Sequence, residues 1–142
     1  MTIPRIINPL GWAKPLGYAN GVLAQPGQLL FMAGQVGWNE NQDFASPELI
    51  PQFEQALRNI LTIVAEAGGR PEHICRITAF CLSKPDYLQA RPELGRIWHK
   101  LMGKHYPAMS MIFVSDLFDA PAQIELEATA VIPFNLKGEN NV

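Results

Sequence analysis

Apolar residues recur along 49–64 with the spacing of one helix face: Leu49, Phe53, Leu57, Ile60 and Val64. Just ahead, Ser46-Pro47-Glu48 offers an N-cap, a proline at the first helical position and an acid in the first turn. Gly68-Gly69, with Pro71 beyond, predicts the stop. A second stripe, Leu94, Ile97, Trp98 and Leu101, predicts a helix that starts near Arg91 with Pro92 in its first turn and ends at Gly103. The other segments read as strands. Residues 28–33 form a short apolar run between Pro26-Gly27 and Gly34, and 74–82 mix β-branched, aromatic and small residues. Residues 109–114 are almost wholly apolar, so both faces of that strand are expected to be covered. In 123–132, Ile124, Leu126, Ala128 and Ala130 alternate with Glu125, Glu127, Thr129 and Val131. Weaker strand patterns lie at 5–8 and 18–24.

The order strands, helix, strand, helix, strands predicts an α+β fold: one sheet with both helices packed on one face. The doubly apolar strand 109–114 then calls for another subunit over the opposite face. A length of 142 residues fits a single domain, and 48% hydrophobic against 17% charged residues suits a real core. The formal charge of −2 comes with no cluster of Lys and Arg, which argues against a nucleic-acid partner. Arg96, Lys100 and Lys104 read as a solvated helix face. There is no signal-like leader and no apolar run of membrane-spanning length, so a soluble, cytoplasmic protein is expected, away from membranes. The polar tail 134–142 is expected to fray.

Most chemical motifs are missing: GxGxxG, a P-loop, HExxH, CxxC and GxSxG do not occur. His73, His99 and His105 lack metal-ligand spacing and read as surface or structural residues, so neither a metal nor a cofactor is expected. Cys75 and Cys81 fall on one face of a strand by even spacing, too far apart to pair, and read as two free, packed thiols in a reducing compartment. Three features remain. Glu125 and Glu127 share a facing, either as site carboxylates with burial-raised pKa or as solvated edge residues. Gly34, in FMAGQVG, lets backbone approach a ligand or simply turns the chain. Tyr18, in LGYANG, places a phenol in a cleft or packs.

Together these segments resemble one family. GYANGV resembles the N-terminal Gly-Pro-Tyr-Ser motif of the RidA/YjgF/UK114 proteins, and LLFMAGQVG resembles their hydrophobic-Ser-Gly-Gln strand. QFEQALRNILTIVAEAGG is close to their first helix, and YPAMSM followed by IELEATAV is similar to their closing Pro-Ala-Arg-Ser and Ile-Glu-x-Glu pair. The resemblance runs in order over about residues 15–132.

It implies a chorismate-mutase-like fold and a homotrimer with a barrel-like centre. Three clefts between subunits would hold a small-molecule ligand. It also implies imine or enamine deamination: an arginine clamps a small carboxylate, and water attacks the imine or enamine carbon. Carried across, the site tyrosine is Tyr18, the glycine is Gly34 with Ala33 in place of serine, backbone at Gln35 helps place substrate, and the glutamate is Glu125. The arginine position is Met109, and Met111 stands where a cysteine is common, so the usual carboxylate clamp is missing and the pocket is more apolar. Arg91 falls where relatives often carry asparagine. It is either a second anchor from another wall or a solvent-facing arginine paired with Glu93 or Asp86. Trp38 either roofs the cleft or packs on the surface. The resemblance thus implies a deaminase or related hydrolase for a metabolite other than 2-aminoacrylate. The alternative is a non-catalytic metabolite-binding or protein-protecting trimer. Ribonuclease activity, an old label for some relatives, sits poorly with the acidic pI of about 5.9.

Overall fold

The computed structural model describes residues 3–134. The tail expected to fray lies outside these residues, Phe134 apart. Two short strands, β1 (Arg5–Ile7) and β2 (Gly21–Leu23), pair as an antiparallel ribbon. The main sheet holds β3 (Gly27–Val36), β4 (Ile74–Cys81), β5 (Ala108–Phe113) and β6 (Ile124–Pro133) in the order β3-β6-β4-β5. β6 runs antiparallel to β3 and to β4, whereas β4 and β5 are parallel. The two crossovers, β3 to β4 through α1 (Leu49–Glu66) and β4 to β5 through α2 (Lys84–Met102), move in the same direction across the sheet. Crossovers of one hand that progress one way lay their helices on the same sheet face. This is the predicted α+β arrangement.

The core lies between the helices and that face. Phe53, Ala56, Leu57, Ile60 and Val64 of α1 and Leu94, Ile97 and Trp98 of α2 meet Ile77, Ala79, Ile124, Leu126, Ala128 and Ala130 of the sheet. The alternation read in 123–132 is therefore real: the apolar set is buried and the Glu125 set faces away.

Several boundaries differ from expectation. α1 begins two residues late. Its N-cap is Glu48 with no side-chain cap, while the Ser46 hydroxyl accepts from the Glu48 N–H in a local turn. α2 begins at Lys84, seven residues before Arg91, because Ser83 caps it by accepting from the Asp86 N–H at 3.2 Å. Pro85 holds the early-helix position expected of Pro92, and Pro92 lies inside the helix. Tyr18 precedes the short β2 instead of belonging to a strand over 18–24. Gly34 lies within β3, at a register shift between Met32 and Gln35, and not beyond its end. A second irregularity, between Ile74 and Arg76, breaks the alternation that put both cysteines on one face. Ile74 takes the core position, Cys81 is buried, and Cys75 is half-buried.

β5 is an edge strand in the chain. Met109, Met111 and Phe113 pack against the core, but Ser110 and Ile112 on its other face are exposed. The coverage expected on both faces is thus absent within one chain. Leu29 (63% exposed) and Phe31 (74%), on the opposite edge strand β3, are similarly bare.

Candidate functional site

Glu125 sits early in β6, with Val36 of β3 and Phe80 of β4 as its cross-strand neighbours. The bulge in β3 brings Gly34 against it: a Cβ on Gly34 would overlap the Glu125 carboxylate. Gly34 thus leaves room for the Glu125 side chain, which would have to swing aside if a Cβ stood there, and its φ is not that of a left-handed turn. Burial pushes the Glu125 carboxyl up from its ordinary value, and the nearby charges of Asp119 and Glu127 push the same way. Glu127 stays exposed. Ala33 is exposed beside Gly34, and the half-buried Gln35 turns its Nε2 back to donate to the Ala33 carbonyl at 3.2 Å.

Two residues of α1 hold this region in place. The fully buried Gln52 donates through Nε2 to the carbonyls of Ser46 (3.0 Å) and Pro121 (2.9 Å), and its Oε1 accepts from the Gln123 N–H at 2.7 Å. It thereby ties the approach to α1 to the start of Glu125's strand. Asn59 donates to the carbonyls of Val36 (3.2 Å) and Trp38 (2.8 Å), fixing the exit from β3. A glutamine within an otherwise apolar helix face was the sequence signal for the first brace. Two of its three partners are 69 and 71 residues away, out of reach of periodicity.

The other candidates gather elsewhere. Arg91, Met109 and Met111 line a cavity of 290 Å³ between α2 and β5, to which Leu16 and Gly17 also contribute. Its aromatic walls, Phe53, Tyr87, Trp98 and Tyr106, were not among the residues the sequence pointed to as site residues. Trp98 and Tyr106 stack with centroids 6.0 Å apart, and Trp98 Nε1 donates to the His105 carbonyl at 3.0 Å. Tyr87 meets Phe113 edge-to-face at 5.7 Å. Burial raises the Tyr87 phenol pKa, partly offset by the positive charge of Arg91. Arg91 makes no ion pair among the described residues, since Glu93 pairs with Arg96. Tyr18 is 41% exposed at the rim of this region and does not line the cavity. Its neighbour Ala19 donates to the Pro107 carbonyl at 3.0 Å and bridges Ala108, which pins the segment to the start of β5.

Trp38 does not roof this cavity. It packs edge-to-face on Phe44, with centroids 5.8 Å apart, beside a separate groove along α1 that also includes Gln35 and Asn59. The histidines stay out of both groups. His73 is buried, its Nδ1 accepts from the Arg70 N–H at 2.9 Å, and burial lowers its pKa. His105 Nε2 lies 2.7 Å from the Ile74 carbonyl. Burial raises both cysteine thiols, which suits packed, unreactive sulfur. Among the described residues no cluster of three or more His, Cys, Asp or Glu is placed to hold a metal ion, and no helix is long and apolar enough to cross a membrane.

The candidates therefore fall into two groups, Gly34–Glu125 on the bare sheet face and Arg91–Met109–Met111 under α2. Gly34 on β3 and Met109 on β5 occupy the two edge strands of a four-stranded sheet, about 14 Å apart at three strand spacings.

This is an α+β protein with a cavity at one sheet edge and a half-buried carboxylate near the other. Residues 14–132 match the endoribonuclease L-PSP family model, and the chain belongs to that family, the RidA/YjgF group that its motifs resemble. A RutC family protein of Pasteurella multocida is 29% identical over 105 residues, 74% of this chain and 81% of the relative. A Rid-family protein of unknown function from Yersinia pestis has a crystal structure that is 31% identical, with a TM-score of 0.81 over 91% of this chain and 98% of that one. A YjgF/YER057c/UK114 family member from Mycobacterium tuberculosis is 25% identical, with a TM-score of 0.60 over 82% and 88%.

Proposed function

We propose that the chain acts as a homotrimer whose inter-subunit clefts hydrolyse a small imine, enamine or related unsaturated metabolite other than 2-aminoacrylate. The observation that carries this reading is the division of the site. Glu125 with Gly34, and Arg91 with Met109, lie toward opposite sheet edges and on opposite faces, too far apart to hold one small molecule within a single chain. The exposed Leu29, Phe31 and Ile112 on the Glu125 face supply the apolar surface by which a neighbouring copy would join the halves. The two free thiols suit a reducing, cytoplasmic setting.

In this reading Glu125 orients a water and takes its proton as the oxygen bonds to the imine carbon. Glu125 returns that proton to nitrogen, then takes the hydroxyl proton of the resulting carbinolamine and delivers it to the amine as the C–N bond breaks, so that ammonia leaves and the carbonyl forms. A carboxyl whose pKa burial raises is suited to these transfers. Tyr18 and backbone at Ala33, Gly34 and Gln35 help position the substrate. Met109 and Met111 give an apolar floor where a clamping arginine would otherwise lie.

Imines generated in situ from amino acids by an amino-acid oxidase supply the test. Little or no acceleration is expected with 2-iminopropanoate, and measurable turnover with bulkier apolar imines. Glu125→Ala should cut turnover by roughly 100-fold or more while ligand binding survives. Met109→Arg should raise activity on 2-iminopropanoate. Turnover indifferent to Glu125→Ala would sink the catalytic reading. Binding without turnover in the native chain would leave a metabolite-binding trimer.

A further inference from the structure

Gly95 lies in the interior of α2, where glycine is less favourable than alanine. Nothing in the backbone requires it, because its φ is not positive. Nothing in the packing requires it either, since an added Cβ would meet no atom within 4 Å. Its position explains it better. Tyr87, Arg91, Gly95 and Trp98 recur at helical spacing and all line the 290 Å³ cavity. Gly95 is a gap in the cavity wall between the cation and the indole.

The chemistry of the walls is one-sided. No carboxylate lines the cavity, and Arg91, exposed at its edge and without an ion pair among the described residues, is its one charged group. Trp98 has already committed its N–H to the His105 carbonyl, so it presents only ring surface. Met109 and Met111 add polarizable thioethers, which pair well with aromatic faces. A cage for an ammonium ligand would not carry an arginine.

We propose that this cavity binds a small monoanion with a flat aromatic body, in preference to one without a ring. The body lies in the space left by Gly95 against Trp98, Tyr106 and the two methionines, and the carboxylate lies on Arg91. Gly95 is then a specificity-determining residue. This deepens the proposed function by naming its substrate class, and it rests on that reading only for the identity of the site, not for turnover.

The test is calorimetric titration of the assembled, full-length protein with phenylpyruvate, pyruvate and phenethylamine. Phenylpyruvate should bind at least about tenfold more tightly than either of the others, a tenfold change corresponding to about 1.4 kcal/mol. Arg91→Gln should lose about that factor, and Arg91→Lys should recover part of it. Gly95→Leu should abolish phenylpyruvate binding while Tm rises or holds, which separates a blocked cavity from a damaged fold. Gly95→Ala should weaken binding by a smaller factor. Equal affinity for pyruvate, preference for phenethylamine, no binding by any probe, or unchanged binding in Gly95→Leu would each overturn the proposal. The titration reads no turnover. A native chain that binds phenylpyruvate but hydrolyses no imine defeats only the catalytic reading, and one that hydrolyses imines while ignoring phenylpyruvate defeats only this one.

Discussion

Glu125 is held where ionisation is costly. Its pKa is raised by burial first and by Asp119 and Glu127 second. The folded chain therefore binds a proton more readily than the unfolded chain, so stability falls as pH climbs from the ordinary value near 4.5 through the folded value. Glu125→Gln should raise Tm by about 1–3 °C at pH 7, and scanning calorimetry at successively lower pH should show the gain fade below pH 4.5. The same substitution should remove turnover. A residue that lowers stability where it stands is a reasonable mark of function. Its facing was legible from the alternation in β6. Its contact with Gly34 was not, because a bulge inserts a residue into the register without leaving a periodic trace.

Among the elements, α2 departs furthest from its sequence signals. The apolar stripe from Leu94 onward is visible, but the turns before it are polar and Pro92 reads as a beginning. The true beginning is set by Ser83 and Pro85, and Pro92 is carried inside the helix, where it gives up a hydrogen bond to the preceding turn. Packing of Ala90, Leu94 and Trp98 against the sheet outweighs that local loss. Pro92→Ala should therefore stabilise the protein by roughly 1–3 kcal/mol, read as a higher urea midpoint at unchanged m. No change would mean that the helix is already adapted to the proline. The error mattered for the site: a helix starting at Arg91 would put that arginine at a free N-terminus, whereas in the structure it stands mid-helix in line with Tyr87, Gly95 and Trp98.

At the scale of the whole molecule, the bare sheet face is the dominant unsolved surface of the single chain. Phe31 at 74% exposure is its most prominent aromatic residue. Sedimentation should report a trimer for the native chain, and Phe31→Asp should shift it toward monomer by placing a charge where apolar surface would be covered. An unchanged sedimentation coefficient would locate the interface elsewhere. Such a monomer should also lose activity, since it would separate Glu125 from the Arg91 cavity.

Sequence by itself determined the layer arrangement, the inward set on β6, most of the core and the family, because each rests on local periodicity or on motifs read in order. It also named Glu125, Gly34, Arg91 and Met109. Tertiary structure decided which of them share a space. Strand order is fixed by long-range pairing, which a linear pattern does not encode, and it sets Gly34 and Met109 on opposite edges of the sheet. The aromatic walls of the cavity and the empty position at Gly95 emerge only when α1, α2, β4 and β5 are brought together.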